Sequence, residues 1–407
     1  MSAGEVISFS FCQVSDLNLD TSAALALHLS PAQRKQRADE SIEALAAAMK
    51  QASSNDVNAV LIPGNLFDAD NVTTTTLASV QRIFARLGEI PVFIVPGAHD
   101  PLYNDSLYDE SVLRARGLKP WSENVHIFGA SSVSSVPLPG KASIRISGIG
   151  LSRENRRKTP YVPELAESER VAINLLLLPL GLDEVKSLEM DSELARTIEG
   201  RGYSYVAVSG YNNEHIFKSS EGIIYAGAAG TFIGQTASEL GPRKAVFANL
   251  DKHIGAGIDL TIHSEEFDPR RIVSVNFDLS KKEPELLEME LASALKKSGV
   301  RKEKDILLLK LEGFYPVGAD IQLVDQNMKD EYFHLKLTNT TRPNYLETLS
   351  DKNIIESKYV GIMAELKTGA KADNGGENEE RLGVISDALY FGLEAIREGK
   401  VSIRDAD

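Results

Sequence analysis

The first hundred residues alternate between short runs that are apolar on both faces and longer stretches with apolar positions every third or fourth residue. Val6 to Val14 is β-rich and ends in the polar turn Ser15 to Asp20, so it reads as a buried strand. Ser30 followed by Pro31 starts a helix: the hydroxyl caps free amides, and the absent proline N–H costs nothing at the first helical position. That helix is expected to run to about Ala52, with Ile42, Leu45 and Met49 on one face. A strand from Val57 to Ile62, a helix around Leu77 to Leu87 and a strand from Pro91 to Val95 follow. The order β-α-β-α-β predicts a parallel sheet covered by helices.

Each of these strands runs into a polar segment at its carboxyl end: SDLNLD at 15–20, GNLFD at 64–68 and GAHD at 97–100. Ligands of open α/β sheets bind outside the carboxyl ends of strands, so a site is expected there. Arg170 to Leu178 and Tyr203 to Ser209 read as two more buried strands, the second ending in SGYNNEH at 209–215. Gly64, Gly97 and Gly210 are explained by turns at strand ends that need positive φ or close approach. Asp16 and Asp68 suit tight turns equally well.

The texture changes near residue 280. Lys281 to Glu290 is strongly charged and leads into a helical stretch reaching Lys297. Strand-like runs at Asp305 to Leu311 and Tyr332 to Leu337 come next. The chain closes with an acidic linker, Thr368 to Glu379, and an amphipathic helix over about Glu380 to Glu398 stopped by Gly399. The expected organisation is an α/β domain over 1–280 and an α+β domain over 281–407. No repeat of solenoid period is present.

The longest apolar run, Ile173 to Leu182, is interrupted by Asn174 and Pro179 and falls short of the ~18 residues that span a bilayer. The stretch MSAGEVISFS lacks a basic segment followed by an apolar one, so no secretory leader is expected. Cys12 is the lone cysteine, which excludes an internal disulfide and points to a reducing cytoplasm. The formal charge is −14, with 25 basic and 34 acidic residues up to Ser280 and 19 and 24 beyond it. This balance argues against tight, non-specific binding of duplex DNA, which depends on neutralising phosphates. Arg153, Arg156, Arg157 and Lys158 form the one conspicuous basic cluster, a candidate for contact with phosphate or DNA in a stretch that reads as a loop. Trp121, the sole tryptophan, is assigned to packing.

The spacing of the polar loops resembles that of the calcineurin-like metallophosphoesterase superfamily, and within it the SbcD/YhaO type of DNA-repair exonuclease. That family carries D-x-H, G-D-x-x-D and G-N-H-D/E after successive strands, then a lone His and G-H-x-H. The corresponding places here hold SDLNL, PGNLFD, PGAHD, LLLPLG and SGYNNEH, within the contexts AVLIPGNLFD and IPVFIVPGAHD. IIYAGAAG, GPRKAVFANLD and YFHLKLTNTTRP extend the resemblance to about residues 6–400. It implies a four-layer αββα sandwich followed by an α+β capping domain.

In active relatives two divalent cations, usually Mn²⁺, sit on seven side chains and activate a water for attack on a phosphodiester. Carried across by resemblance, Asp16 keeps its ligand identity, and His99 and Asp100 keep the catalytic positions as vestiges. Asn18, Asn65, Ala98, Pro179, Tyr211 and Asn213 stand at the other ligand positions. No histidine lies between His126 and His215, so no local shift restores the lone His, and His28 is too far from Asp16 to serve D-x-H. Asn65 replaces the carboxylate that bridges both metals, and an amide has no charge to offset cation repulsion. No cofactor and no two-metal centre are therefore expected.

Three functions follow. The first is a pseudo-nuclease: an impaired scaffold serving binding or assembly in DNA processing, with weak DNA binding from the charge balance, no membrane contact from the hydropathy, and, by resemblance, a coiled-coil ATPase partner of the SbcC/YhaN type and homodimerisation. The second is an active phosphodiesterase with one ion held by Asp16, Asp68, His99 and His215. The third is an interaction protein with no nucleic-acid role, which the acidic charge favours.

Overall fold

The computed structural model describes residues 6–22, 27–170, 173–182, 200–218, 225–253, 257–319, 321–348, 354–372 and 378–401. The chain divides into two compact units, Met1–Ile272 and Val273–Asp407.

The first unit is built on two six-stranded sheets. One contains β1 (Val6–Gln13), β2 (Ala59–Ile62), β3 (Val92–Ile94) and β4 (Val125–Ile127), all parallel in that order. The other contains β5 (Ser134–Leu138), β6 (Lys141–Gly148), β7 (Ile173–Pro179), β8 (Tyr205–Ser209), β9 (His215–Lys218) and β10 (Tyr225–Ala228). Its core β6-β7-β8-β10 is parallel, with β5 and β9 antiparallel at the edges. A hairpin of β11 (Lys244–His253) and β12 (Gly257–Glu266) returns to the first sheet, where β11 lies antiparallel to β1. Sequence reading missed this hairpin, because its strands follow the last motif rather than alternating with helices.

Alternate strand residues enter two different cores, which explains why most consecutive positions are apolar. Phe9, Phe11, Leu61 and Phe93 point toward the second sheet and meet Leu175, Leu177 and Tyr205 in a core between the sheets. Their neighbours Cys12, Val60, Ile62 and Ile94 point the other way, under helices. On the far face of the second sheet, Leu176, Leu178, Val206 and Val208 pack with Val162 and Ile149. Among the described residues that face is covered by the irregular segment around 149–166; residues 183–199 lie outside the description.

Helix α1 (Pro31–Ser54) begins with a full capping box: Ser30 Oγ accepts from Gln33 N and Gln33 Oε1 accepts from Ser30 N. It buries Leu45, Ala48, Met49 and Ala52 against the first sheet. Helix α2 (Thr74–Ala85) starts earlier than the apolar pattern implied, because Thr73 caps it by accepting from Thr76 N. Trp121 packs against Phe67, Phe84 and Tyr108, in keeping with a packing role.

In the second unit a three-stranded sheet joins Ile272–Asp278, Ile306–Glu312 and His334–Asn339. The helix Leu287–Ser298 covers it with Leu287, Leu291 and Leu295 and ends at Gly299, whose φ is 68°. A helical pair, Ile355–Ala372 and Asn378–Glu398, closes around Tyr345, Tyr390 and Leu393. The expected linker from Thr368 needs correction: residues 368–372 complete the first of these helices, and 373–377 lie outside the described residues. Lys and Ala around Gly369 favour helix more than the acidic composition suggested.

A buried ion network anchors α1 to the end of the hairpin. Arg37 donates to both oxygens of Asp268, at 2.7 and 2.8 Å, and Arg270 pairs with Glu40. Asp268 also accepts from the amides of Gly234 and Arg270. Arg37→Met should destabilise the protein by roughly 3–5 kcal/mol in urea unfolding, because it strands a buried carboxylate. A loss below about 1 kcal/mol would show that the network is solvated.

Candidate functional site

The carboxyl ends of β1, β2, β3 and β8 converge, and the backbones of the first two loops are laced together. Asp16 N donates to Gly64 O (3.2 Å), Asn18 N to Asn65 O (2.9 Å) and Leu19 N to Leu66 O (3.1 Å). Asp16, Asn18 and Asn65 adopt left-handed backbone conformations, with φ of 53°, 43° and 57°. Asn and Asp tolerate that region best among non-glycine residues, so part of this Asx content serves the turns themselves. Gly97 is required for a different reason: a Cβ there would lie 2.3 Å from Asn65 Oδ1.

Asn65 is the centre of the site. Its Nδ2 donates to Asp16 Oδ1 at 2.7 Å, and its Oδ1 accepts from His99 N at 2.9 Å. Asp16 also accepts from Gly210 N through both oxygens, at 3.1 and 2.9 Å. One amide side chain thus joins the first and third loops, while the fourth loop closes on the same carboxylate. Burial pushes Asp16 up to about 7, even though Asn65 and Gly210 donate to it.

Asp100 ties the loops together from below. It accepts from the amides of Gly97 (2.6 Å), Leu66 (2.8 Å) and Phe67 (3.1 Å) and from Tyr108 Oη (2.6 Å). Its burial raises it above the usual carboxylate range, while those four donors act in the opposite direction. The His99 side chain is exposed, so only its backbone joins the network.

The remaining sequence candidates are dispersed among other tasks. Ala98 is buried and offers no ligand, and Pro179 closes β7 in register with Ser209. Tyr211 stacks on His215 with ring centroids 5.8 Å apart. Asn213 Oδ1 accepts from Arg243 Nη2 at 3.1 Å. Asp68 is occupied by its own turn, accepting from Asp70 N and Asn71 Nδ2. The set Asp16, Asp68, His99 and His215 is therefore not assembled: among the described residues no three His, Cys, Asp or Glu side chains gather. Arg153 lies over Tyr103, and Arg157 and Lys158 are exposed on the same loop with half-buried Arg156.

Sequence reading missed two participants. Glu239 caps the turn that follows the site, accepting from Gln235 N (2.6 Å) and Thr236 N (3.0 Å), and its charge also raises Asp16. Arg243 is buried and braces 212–213 against Thr231. The segment GPRKAVFANLD held the clue to Arg243, but no local pattern separates a buried guanidinium from a solvated one.

The donor set does not fit a pair of divalent cations. Two dications ~4 Å apart repel by roughly 16 kcal/mol at an effective dielectric of 20. Asp16 alone supplies charge, and its oxygens already hold protein donors. Asn65 turns its NH₂ toward Asp16, presenting hydrogens where a bridging anion would be needed. Asn18 Oδ1 and Ser209 Oγ are buried without a partner among the described residues, but both are neutral oxygens.

Residues 9–177 match the family model for calcineurin-like phosphoesterases, so the first unit carries a calcineurin-like metallophosphoesterase domain. The match ends before Pro179, Tyr211 and Asn213, so it does not reach those three expected positions. Among solved structures the chain is similar to a protein of Thermus thermophilus, at 14% identity over 64% of this chain and 100% of that one, with a TM-score of 0.37. It is also similar to a dimetal phosphatase from Danio rerio, at 10% identity over 64% and 99%, with a TM-score of 0.36. A Vacuolar Protein Sorting 29 structure from Cryptosporidium parvum gives 11% identity over 64% and 98%, with a TM-score of 0.27. No curated protein matches the sequence.

The raised Asp16 has a consequence for stability. The folded protein binds a proton that the unfolded chain releases near 3.8, so this contribution is complete below about pH 4 and is lost as pH rises toward 7. Asp16→Asn, which cannot ionise, should be the more stable protein at pH 8, by up to about 4 kcal/mol, and the difference should shrink toward pH 4. Parallel urea titrations of both proteins at pH 4, 6 and 8 measure it, and a constant difference would refute the assignment.

Proposed function

We propose that this chain is a catalytically impaired phosphoesterase scaffold that serves as a binding or assembly subunit in DNA processing. The observation that carries the impairment is the Asn65–Asp16 hydrogen bond: a neutral amide holds the one remaining ligand carboxylate where a metal-bridging anion is needed. The DNA-processing part rests on the order and spacing of the five loop motifs, which resemble the SbcD/YhaO exonucleases. A coiled-coil ATPase is the partner class this reading implies, and self-association through the phosphoesterase domain is the expected assembly.

Purified full-length protein should hydrolyse bis-p-nitrophenyl phosphate no faster than buffer with Mn²⁺, Mg²⁺ or Zn²⁺, and His99→Ala should leave that baseline unchanged. Elemental analysis after Mn²⁺ loading should find no tightly held pair of ions. Two Mn²⁺ per chain, or metal-dependent turnover abolished by His99→Ala, overturns the reading.

Asn65→Asp gives a second measure of the same idea. It places two carboxylates face to face in a buried site and removes the amide donor, so it should lower the melting temperature by several degrees, a loss of about 1–3 kcal/mol. An unchanged melting temperature would mean that the Asp16–Asn65 bond contributes nothing.

The net charge of −14 favours a second reading, an interaction protein without a nucleic-acid role. Binding of a labelled DNA end that weakens steeply with salt supports the first reading, and absence of binding at low salt supports the second.

A further inference from the structure

A cleft of about 600 Å³ opens on the first unit between the turns after β4 and β6 and the irregular segment 152–163. It lies at the same end of the sheets as the degenerate loops but is made of different residues. Leu151 N donates to Pro96 O (2.9 Å), next to the GAHD loop, and Gly150 N donates to Gly129 O (2.8 Å).

The cleft combines two chemistries. Lys158, Asn155, Ser131 and Ser132 supply a cation and neutral donors, while Ser152 is engaged with Glu154 and accepts from Asn155 N. Among the described residues Lys158 has no carboxylate partner. Val133, Ile149, Pro160 and Pro163 supply apolar wall, and Tyr161 adds an aromatic ring that is 71% exposed. The Arg201 guanidinium lies over that ring, 5.4 Å from its centroid. Beside Ser152, Arg153 lies over Tyr103 at the same distance, and Arg156 and Arg157 add further charge to this loop. Glu154 is exposed but bonded to the Ser152 hydroxyl at the rim, and Glu164 is paired with Arg170; with three arginines and one lysine against that single carboxylate, the loop 153–158 keeps a positive balance.

We infer that this cleft is a nucleoside-phosphate site. An exposed tyrosine backed by a guanidinium is a stacking platform for a flat base, and Lys158 with the hydroxyls and Asn155 suits a phosphate. Inorganic phosphate would leave the aromatic and apolar wall unused, and an uncharged aromatic would leave Lys158 unused. The volume falls within the range of small-molecule pockets. The same chemistry is offered by a free mononucleotide and by one nucleotide of a single strand. The assignment is independent of the degenerate metal positions and of the function proposed above.

The test uses full-length protein, calorimetric titration with AMP and CMP, and fluorescence anisotropy with a labelled oligothymidylate. At least one form should bind. Lys158→Glu and Tyr161→Ala should each weaken that binding by about ten-fold, and Tyr161→Phe should restore it. Lys35→Glu on the exposed side of α1 makes the same change in net charge and should have less than about a two-fold effect. Mononucleotide binding identifies a free ligand, and oligonucleotide binding alone identifies a strand. Failure of both to bind, or binding indifferent to Lys158→Glu and Tyr161→Ala, overturns the inference. Binding that survives those two variants but falls with salt would leave the DNA-processing reading standing and remove only this cleft.

Discussion

The contact between Asn65 and Asp16 is the constraint around which the candidate site is arranged. A side-chain amide carries a donor and an acceptor, so Asn65 can hold a carboxylate and a backbone N–H at once. An ionised aspartate at this position could accept but not donate, and facing Asp16 it would need a cation or a shared proton between the two. The Asn65–Asp16 link is thus a hydrogen-bonded bridge that is complete within the chain. Around it, Gly210 N closes on Asp16, and Asn213 accepts from Arg243.

Asp100 is the second support of the site. Asp100 collects three backbone amides and a tyrosine hydroxyl, which fixes the GNLFD and GAHD loops relative to one another. That support needs no metal. Left-handed turns at Asp16, Asn18 and Asn65 similarly demand small polar side chains whatever chemistry is carried out.

The nucleoside-phosphate cleft uses the same architectural rule by other means. Loops at the carboxyl ends of parallel strands are free to vary because the sheets beneath them are held by apolar packing on both faces. One group of these loops has closed upon itself around Asp16. Its neighbour presents Lys158 and Tyr161 to solvent.

The sequence by itself determined much of the scaffold. Uninterrupted apolar strands, Ser30-Pro31 at a helix start, and the polar segments at 15–20, 64–68 and 97–100 fix local structure through short-range rules. The scarcity of charged and imidazole side chains in these polar loops was equally legible, since it is a matter of residue type alone. Only the tertiary structure decided that Asn65 faces Asp16 with its NH₂, that Gly210 completes that carboxylate's partners, and that Arg243 and Glu239 stand close by. These contacts join residues up to about two hundred positions apart, and hydrogen-bond geometry over such separations leaves no periodic trace in the chain. The β11–β12 hairpin follows the last motif outside the strand–helix alternation, and its place beside β1 depends on long-range pairing, which strand propensity alone does not specify.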